Sequence, residues 1–395
     1  MGTEFKGKKI LLVLDSKLEH WKGTQRFLYD FGSSLISKGF EVVLIENSNH
    51  GLPDAPVKFD SIIPFRVISI GFRRFFGVYI VPKDIVMKEH PVIVYAVNLN
   101  SLPFIASTQY KTIFGTHVLN VSGRNYENRY KKLGFYIKKL FFFVIVKFFW
   151  RNKEIMIHAL NTDQCDWIIK TTKNHFPVTV IGDPVECRID ESIAFLKRMK
   201  KNEKFTVLYF GSFSSKRGFS EFLSIVKFIH TKQLKGCFHF LIVGDGPLRS
   251  DAEKLSQLFD NITLIIRPTD DQKRNIMLNA DLFVFPSIIE TFSITAVEAQ
   301  SCGLPSLFSD ITPLKNIVIE GITGYCLSLE GSFENRFFDK ILNYFQVWHN
   351  YYEGYRKMRV EIAESTRRLC KEKVLPQLLD MVESFIRRNK ELVSS

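Results

Sequence analysis

The sequence predicts an α/β fold with two doubly wound, Rossmann-like domains. Short apolar strand patterns alternate with helical patterns along the chain, which is typical of parallel sheets covered by helices on both faces. A polar, basic stretch at Leu196–Lys204 interrupts this alternation, which then starts again. The length of 395 residues also exceeds what one hydrophobic core usually serves.

The first half begins with a βαβ pattern. Lys9–Leu14 has the apolar run of a buried strand, Thr24 can cap a helix that ends at Gly39, and Glu41–Ile45 is the next strand. Further strands are predicted at Val92–Tyr95, Thr112–Phe114, Ile155–Ala159 and Val178–Ile181.

The second half repeats the pattern. Strands are predicted at Phe205–Phe210, His239–Val243, Ile262–Ile266 and Leu282–Phe285, and helices at Phe219–His230, from Pro247, at Gln272–Asn279 and at Ser293–Ser301. We divide the chain into an N-terminal domain (1–185), a linker (186–203), a C-terminal domain (204–350) and a C-terminal helical segment (351–395) that returns to the N-terminal domain. We expect the two domains to face a central cleft that binds ligand at the carboxyl ends of the strands.

The charge balance favours an anionic partner. Lys and Arg number 54 against 41 Asp and Glu, a net charge of +13. Nucleic acid, anionic lipid and phosphorylated small molecules all fit this charge, but no nucleic-acid-binding signature is present, so no nucleic acid is expected. The six cysteines form no C-x-x-C pair, which predicts reduced thiols and no metal site.

Two basic, aromatic segments bear on location. The apolar run Ile10–Leu14 is too short for a signal peptide, and no run of about 18 apolar residues exists, so we expect a cytoplasmic protein. Arg129–Lys153 fits either a core helix or a helix at an anionic membrane surface. Gly71–Gly77 repeats the same composition and favours peripheral membrane contact.

The most informative motif is the stretch Asp281–Pro305. Glu290 follows a strand, a helix begins near Ser293, and Glu298 lies within that helix. Amides at a helix start bind phosphate well, and two carboxylates eight residues apart suit the hydroxyls of a nucleotide sugar. Taken alone, this spacing also fits an ordinary surface helix with two exposed glutamates.

Further motifs occur in a fixed order around this stretch. Leu241–Pro247 (LIVGDGP) joins a strand to a helix through a glycine turn, Phe210–Gly218 is a strand followed by a small-residue loop, and Gly321–Leu327 (GITGYCL) is a turn before a late strand. Together with E-x7-E and the following A-x-x-C-G-L-P, this order resembles the retaining glycosyltransferases of the GT-B fold, family 4 (glycosyltransferase group 1). The resemblance is strongest over Phe205–Glu330.

The resemblance implies roles for individual residues. Glu290 would hold the donor-sugar hydroxyls and, with His117 of the motif GTH, be catalytic, whereas Glu298 would hold the ribose. Arg217 stands where the family has its phosphate-binding lysine, and Lys216 would assist it. The family's companion arginine is replaced by Ser212. Donor binding is further expected of Gly211, Ser212, Thr291, Phe292, Ser293, Ile294 and Gly23.

The resemblance also implies a reaction, in which the N-terminal domain binds the acceptor and the C-terminal domain binds the nucleotide sugar. A hexosyl group would pass with retention from a UDP-, GDP- or ADP-sugar to a glycan or lipid-linked acceptor hydroxyl, without a metal or other cofactor, in glycan biosynthesis. Two alternatives stay open at this point. One is a catalytically silent relative that binds membrane or nucleic acid, and the other is a nucleotide-sugar epimerase of the same fold.

Overall fold

The computed structural model describes residues 5–14, 23–47, 66–70, 73–75, 78–80, 83–97, 110–117 and 154–388. It divides into two compact units. The first unit comprises Met1–Pro184 together with Val374–Ser395, and the second comprises Val185–Lys373.

The first unit contains a parallel sheet. Its described strands are β1 (Lys9–Leu14), β2 (Glu41–Asn47), β3 (Arg66–Ile70), β4 (Arg73–Phe75), β5 (Val78–Ile80), β6 (Ile93–Val97), β7 (Lys111–Gly115), β8 (Ile155–Ala159) and β9 (Val178–Val180). Seven of them form one sheet in the order β3-β2-β1-β6-β7-β8-β9 with every neighbouring pair parallel, while β4 and β5 form an antiparallel pair. The helices are α1 (Gly23–Ser37), α2 (Lys83–Glu89) and α3 (Thr162–Thr172).

Alternating residues of β1 bury against opposite layers of helices. Leu12 belongs to a cluster with Phe31 of α1, and Leu11 belongs to a second cluster with Ile168 of α3. Because a strand points successive side chains to opposite faces, both faces of this sheet are covered. Leu378 of the last described helix, Lys371–Arg387, lies in the first of these clusters, so that helix completes the core of the first unit.

The second unit repeats this architecture with six strands. They are β10 (Phe205–Ser212), β11 (Phe238–Asp245), β12 (Ile262–Ile266), β13 (Leu282–Phe285), β14 (Ser306–Ser309) and β15 (Gly324–Leu327). All neighbouring pairs are parallel, in the order β12-β11-β10-β13-β14-β15. The helices are α4 (Ile189–Leu196), α5 (Phe219–His230), α6 (Arg249–Leu258), α7 (Asp270–Asn279), α8 (Ile294–Ser301), α9 (Thr312–Lys315), α10 (Phe333–Asn350), α11 (Tyr352–Ser365) and α12 (Lys371–Arg387), the last of which crosses into the first unit.

The interval 186–203, which the charge pattern marks as a linker, belongs to the second unit. It contains helix α4, whose Ile189 and Leu196 are buried in a cluster with Ala363 of α11. These two residues lie seven apart and therefore share one helix face. The lysines at the end of the interval make its sequence look like a polar linker, so the apolar helix face is not evident from the charge pattern. Residues 351–373 likewise belong to the second unit, whereas the chain from Val374 onward belongs to the first.

Cys187 and Cys370 are joined by a disulfide, which differs from the expectation of six reduced thiols. Their Cα atoms are 5.5 Å apart, within the usual range for a disulfide, although 183 positions separate them in sequence. The pairing depends on the approach of residues 185–187 to residue 370, where Val185 and Cys370 form a parallel bridge. No sequence spacing reveals such an approach.

We expect alkylation of the unfolded protein to label four cysteines without reductant and six after reduction. The four thiols are those of Cys165, Cys237, Cys302 and Cys326. Replacing both bonded cysteines by serine should lower the free energy of unfolding by about 2–4 kcal/mol, because the unfolded chain gains freedom. Mass spectrometry of the alkylated protein gives the count. Six labelled thiols in unreduced protein would contradict the disulfide.

The membrane interpretation rests on segments that the structure describes only in part. Arg129–Lys153 lies outside the described residues, and Gly71–Gly77 contributes β4. Within the ranges given above, no helix has the length and apolar character needed to cross a bilayer.

Candidate functional site

The second sheet reverses its strand order between β10 and β13. From β10 the chain runs outward to β11 and β12, then returns to place β13 on the other side of β10. The loops after these two strands meet there, since the carbonyl oxygen of Lys216 accepts hydrogen bonds from the amides of Ile288 and Ile289, each at 3.1 Å. In open parallel sheets, such a reversal point at the carboxyl ends is where ligands bind.

Glycines allow these loops to approach one another. Gly218 has φ +66°, and a Cβ atom there would overlap the carbonyl oxygen of Pro286. Gly244 in the motif VGDGP has φ +145°, and a Cβ atom there would overlap the carbonyl oxygen of Gly211. Only glycine satisfies both the backbone angle and the lack of space at these positions.

Glu290 and Arg217 form an ion pair at this reversal point. The Glu290 side chain is buried, and the Ser287 hydroxyl donates to its Oε1 at 3.2 Å. Burial raises the pKa of Glu290, and the Arg217 guanidinium opposes that rise. Arg217 also donates to the carbonyl oxygen of Ile289 at 3.2 Å, which holds it over the loop. The predicted sugar-binding carboxylate and the predicted phosphate-binding cation are therefore neighbours.

Glu298 lies in the second half of α8 and pairs with a residue that the sequence analysis did not single out. Nζ of Lys273, on α7, is 2.5 Å from its Oε2. The same ammonium group lies 5.6 Å from the centre of the Phe210 ring at the end of β10. The site thus contains two acid–base pairs, Arg217–Glu290 and Lys273–Glu298.

The start of α8 is built as the motif predicts. Ser293 caps the helix, and its hydroxyl accepts from the amide of Ala296 at 3.4 Å. The first amides of a helix have no partner inside the helix and favour an anion. Phe292 and Ile294 pack against the core of the unit, and Thr291 is half-buried between Glu290 and this cap.

The remaining predicted residues of this unit lie at the end of β10 and in the loop after it. Gly211 lies beside the ring of Phe285, which leaves little room for a side chain. Ser212 is exposed, and its carbonyl oxygen accepts from the Tyr209 hydroxyl at 3.0 Å. The Lys216 side chain is exposed in the short helical turn that also carries Arg217.

The other two predicted residues belong to the first unit. Gly23 is the first residue of α1, and His117 follows β7. Phe27 of α1 contacts the His117 ring with a centroid distance of 4.2 Å. A Cβ atom on Gly115 would lie 2.8 Å from the hydroxyl oxygen of Tyr95 and 3.0 Å from the His117 ring, so glycine in the GTH motif makes room for both side chains.

His117 has buried polar neighbours that sequence reasoning missed. Its Nδ1 lies 3.0 Å from Oδ1 of Asp183, its Nε2 lies 3.4 Å from the Tyr95 hydroxyl, and that hydroxyl lies 2.5 Å from Nδ1 of His158. Asp183 could have been found, because it follows the predicted strand ending at Ile181. The alternation of apolar residues marks Tyr95 and His158 simply as core positions, and Lys273 carries no sequence signal. Among the described residues, no group of three or more His, Cys, Asp or Glu side chains is placed to hold a metal ion.

This chain is similar to known proteins in structure and in sequence. A crystal structure of the Anabaena protein HepE in complex with UDP superimposes with a TM-score of 0.66 at 14% identity, covering 95% of this chain and 100% of that one. A phosphatidylinositol N-acetylglucosaminyltransferase subunit of Homo sapiens is 20% identical over 331 residues, 80% of this chain and 65% of its own length. An Escherichia coli enzyme, UDP-Gal:α-D-GlcNAc-diphosphoundecaprenol α-1,3-galactosyltransferase, is 32% identical over 130 residues, 31% of this chain and 34% of its own length. The matches span 59%, 34% and 65% of the first three curated relatives.

Two parallel, helix-covered sheets and the likeness to this solved structure define a GT-B fold. Residues 191–333 match the family model described as glycosyl transferases group 1. This segment is therefore similar to the glycosyl transferases of group 1, the family that the motifs of the sequence resemble. The matched segment covers every predicted site residue of the second unit.

Proposed function

We propose that this protein transfers a sugar from a nucleotide-sugar donor to an acceptor hydroxyl with retention at the anomeric carbon, as family 4 enzymes do. The observation that carries the proposal is the placement of two acid–base pairs at the reversal point of the second sheet. Arg217 with Glu290 and Lys273 with Glu298 supply both cations for a diphosphate and carboxylates for hydroxyl groups. The UDP complex of the Anabaena neighbour supports a nucleotide-sugar donor.

The two pairs suggest how the donor is accommodated. Without ligand, each buried or half-buried carboxylate is neutralised by its neighbouring cation. When the donor binds, its hydroxyls donate to Glu290 and Glu298, and its phosphates pair with the two cations, Arg217 and Lys273. Each charged group therefore keeps a partner during this exchange. A buried charge without a partner would cost several kcal/mol.

The same groups would act during transfer. Negative charge develops on the departing diphosphate, where Arg217, Lys216 and the amides at the start of α8 can stabilise it. His117 would contact the donor sugar or its phosphate, and the acceptor would attack from the face that the diphosphate leaves. No separate buried base is then required.

We assign a lipid-linked molecule as the acceptor, on the basis of the relatives' names and the charge of the chain. The name of the Escherichia coli relative gives a diphosphoundecaprenol acceptor, and that of the human relative gives phosphatidylinositol. The net charge of +13 suits an anionic surface. We place the reaction at the cytosolic face of a membrane, with the protein bound peripherally. Flotation with vesicles that contain or lack anionic lipid would test this placement.

Glutamine in place of Glu298 is expected to lower the affinity for the cognate nucleotide about tenfold. A bond between a charged carboxylate and a hydroxyl contributes about 1.5–3 kcal/mol. Thermal shifts with UDP, GDP and ADP would first identify the nucleotide, and calorimetry would then give Kd for both proteins. Glu253→Gln, on the exposed face of α6 where Glu253 pairs with Arg249 at 2.7 Å, is the matched control.

Each outcome has a distinct meaning. Unchanged affinity in Glu298→Gln would contradict the ribose role. If a folded protein responds to none of the nucleotides or their sugar conjugates, the proposed donor is wrong, and a catalytically silent relative becomes the better assignment.

A further inference from the structure

A third acid–base pair lies at the same edge of the second sheet as the two pairs of the candidate site. Nε of Arg267 donates to Oδ2 of Asp245 at 2.5 Å. Asp245 ends β11 within the motif VGDGP, and Arg267 directly follows β12, so both residues stand at the carboxyl ends of their strands. The transfer proposed above assigns neither residue a role, and it assigns no protein group to the base of the donor nucleotide.

The strand order places this pair next to the ribose end of the candidate site. Lys273, which pairs with the proposed ribose ligand Glu298, lies beside the Phe210 ring of β10. Asp245 stands in register with Ser212, the last residue of β10, and neighbouring strands are about 4.8 Å apart. The base and the diphosphate are attached to opposite ends of the ribose. With the sugar and the diphosphate toward β13, the base therefore extends toward β11 and this pair.

The backbone of Arg267 adopts a conformation that favours glycine. Its φ is +49°, in the left-handed region, where a Cβ atom crowds the backbone. The Arg267 side chain is 81% exposed, so its ion pair contributes little to the stability of the fold. The chain thus keeps a strained residue whose side chain gains little from folding. Such strain is typical of residues that contact a ligand.

Both members of the pair have hydrogen-bonding capacity to spare. Oδ1 of Asp245 accepts from the amide of Gly246 at 2.8 Å, and Oδ2 accepts from Arg267. Each carboxylate oxygen can accept a second bond. Within the described ranges, no protein group accepts a hydrogen bond from the two terminal nitrogens of Arg267. The pair therefore offers two acceptor oxygens beside a planar donor group.

Among the nucleotide bases, guanine has the complementary edge. Its N1–H and its 2-amino group are adjacent donors that a carboxylate can accept together, and its O6 is an acceptor for an arginine. Uracil has a carbonyl oxygen on each side of its one N–H, so one of these oxygens would face the carboxylate. Adenine has no ring N–H beside its amino group, so it gives the carboxylate only one donor.

We propose that Asp245 and Arg267 bind the base of the donor nucleotide and select guanine, so that the donor is a GDP-sugar. This inference rests on the proposed function and specifies its donor. Asp245 accepts from the N1–H and the 2-amino group, and Arg267 donates to O6. Both residues belong to the second unit, so the base is bound by that unit alone.

Calorimetry with four free diphosphates tests the role of the carboxylate. GDP is expected to bind the wild-type protein about 10–100-fold more tightly than UDP or ADP. Inosine diphosphate lacks only the 2-amino group of GDP and should bind about tenfold more weakly than GDP. In Asp245→Asn, GDP and inosine diphosphate should bind about equally, because the carboxylate that distinguishes them is gone. An unchanged ratio in this variant would contradict the role of Asp245.

Arg267→Gly tests the guanidinium without endangering the fold. Glycine adopts a φ of +49° without strain, so the variant should unfold at about the same urea concentration as the wild-type protein. Its affinity for GDP should nevertheless fall about tenfold, and most of the preference over UDP should be lost. Arg367→Met is the matched control, because Arg367 also pairs with an exposed aspartate, Asp190 of α4, at 2.5 Å. The control should bind GDP as the wild-type protein does. A folded Arg267→Gly protein with unchanged GDP preference would overturn the proposal.

The two proposals fail separately. If UDP or ADP binds more tightly than GDP, and Glu298→Gln weakens that binding, the proposed function stands and the assignment of guanine is wrong. If none of the nucleotides or their sugar conjugates binds the folded wild-type protein, the proposed function fails as well.

Discussion

Replacing Glu290 by glutamine should lower the rate of sugar transfer by about 10²–10³-fold. The carboxylate is buried beside Arg217, and its oxygens are the acceptors proposed for the donor-sugar hydroxyls. Glutamine keeps the shape, but it replaces one acceptor oxygen by a donor and removes the negative charge that Arg217 faces. Losing one preorganised polar partner of a transition state typically costs this much in kcat.

The measurement must separate the binding of the nucleotide from the chemical step of sugar transfer. Initial rates at saturating donor give kcat, and calorimetry with the free nucleotide shows whether the Glu298 end of the site is intact. We expect nucleotide affinity to change little, since Glu290 is assigned to the sugar. Glu253→Gln should retain full activity. Full turnover in Glu290→Gln would remove this residue from the catalytic assignment.

Much of this site is predictable because many of its functional side chains lie close together in the sequence. β10 and β13 are buried on both faces and therefore have nearly continuous apolar patterns, and the motif around Glu290 and Glu298 directly follows β13. The carboxyl ends of parallel strands share an edge of the sheet, so the loop with Arg217 was expected nearby. The sequence pattern does not show which side chains pair with one another.

The unpredicted residues share a physical cause. Lys273 reaches Glu298 from a different helix, and Asp183 reaches His117 across 66 positions of sequence. Such contacts depend on the packing of elements rather than on local periodicity. The same limit applies to α4, since amphipathic spacing predicts that a helix has an apolar face without saying which core that face joins.

Arg359→Met is expected to lower the free energy of unfolding of the second unit by about 3–5 kcal/mol. Arg359 is fully buried on α11 and donates to the carbonyl oxygens of Leu278, Ala280, Cys302 and Gly303, at 3.1, 2.7, 3.2 and 3.1 Å. Methionine has a similar length but no donor, so these carbonyl groups would lose their partner inside the protein. Urea unfolding followed by circular dichroism gives the change.

A matched arginine on the same helix isolates this effect. Arg356 pairs with Glu353 at 2.7 Å and is partly exposed, so Arg356→Met should cost no more than about 1 kcal/mol. Arg359→Lys should fall between the two, because an ammonium group cannot reach carbonyls on both sides as a planar guanidinium does. A loss below about 1 kcal/mol in Arg359→Met would show that water or rearranged side chains replace the guanidinium.

This arginine also connects stability to the site. The carbonyls that it binds lie at the carboxyl-terminal ends of α7 and α8, where a positive charge is favourable. Those two helices carry Lys273 and Glu298, the pair assigned to the nucleotide. One buried cation thus fixes the ends of both helices. We therefore expect Arg359→Met protein, kept folded at low temperature, to bind nucleotide more weakly than Arg356→Met protein, because α7 and α8 lose their common anchor.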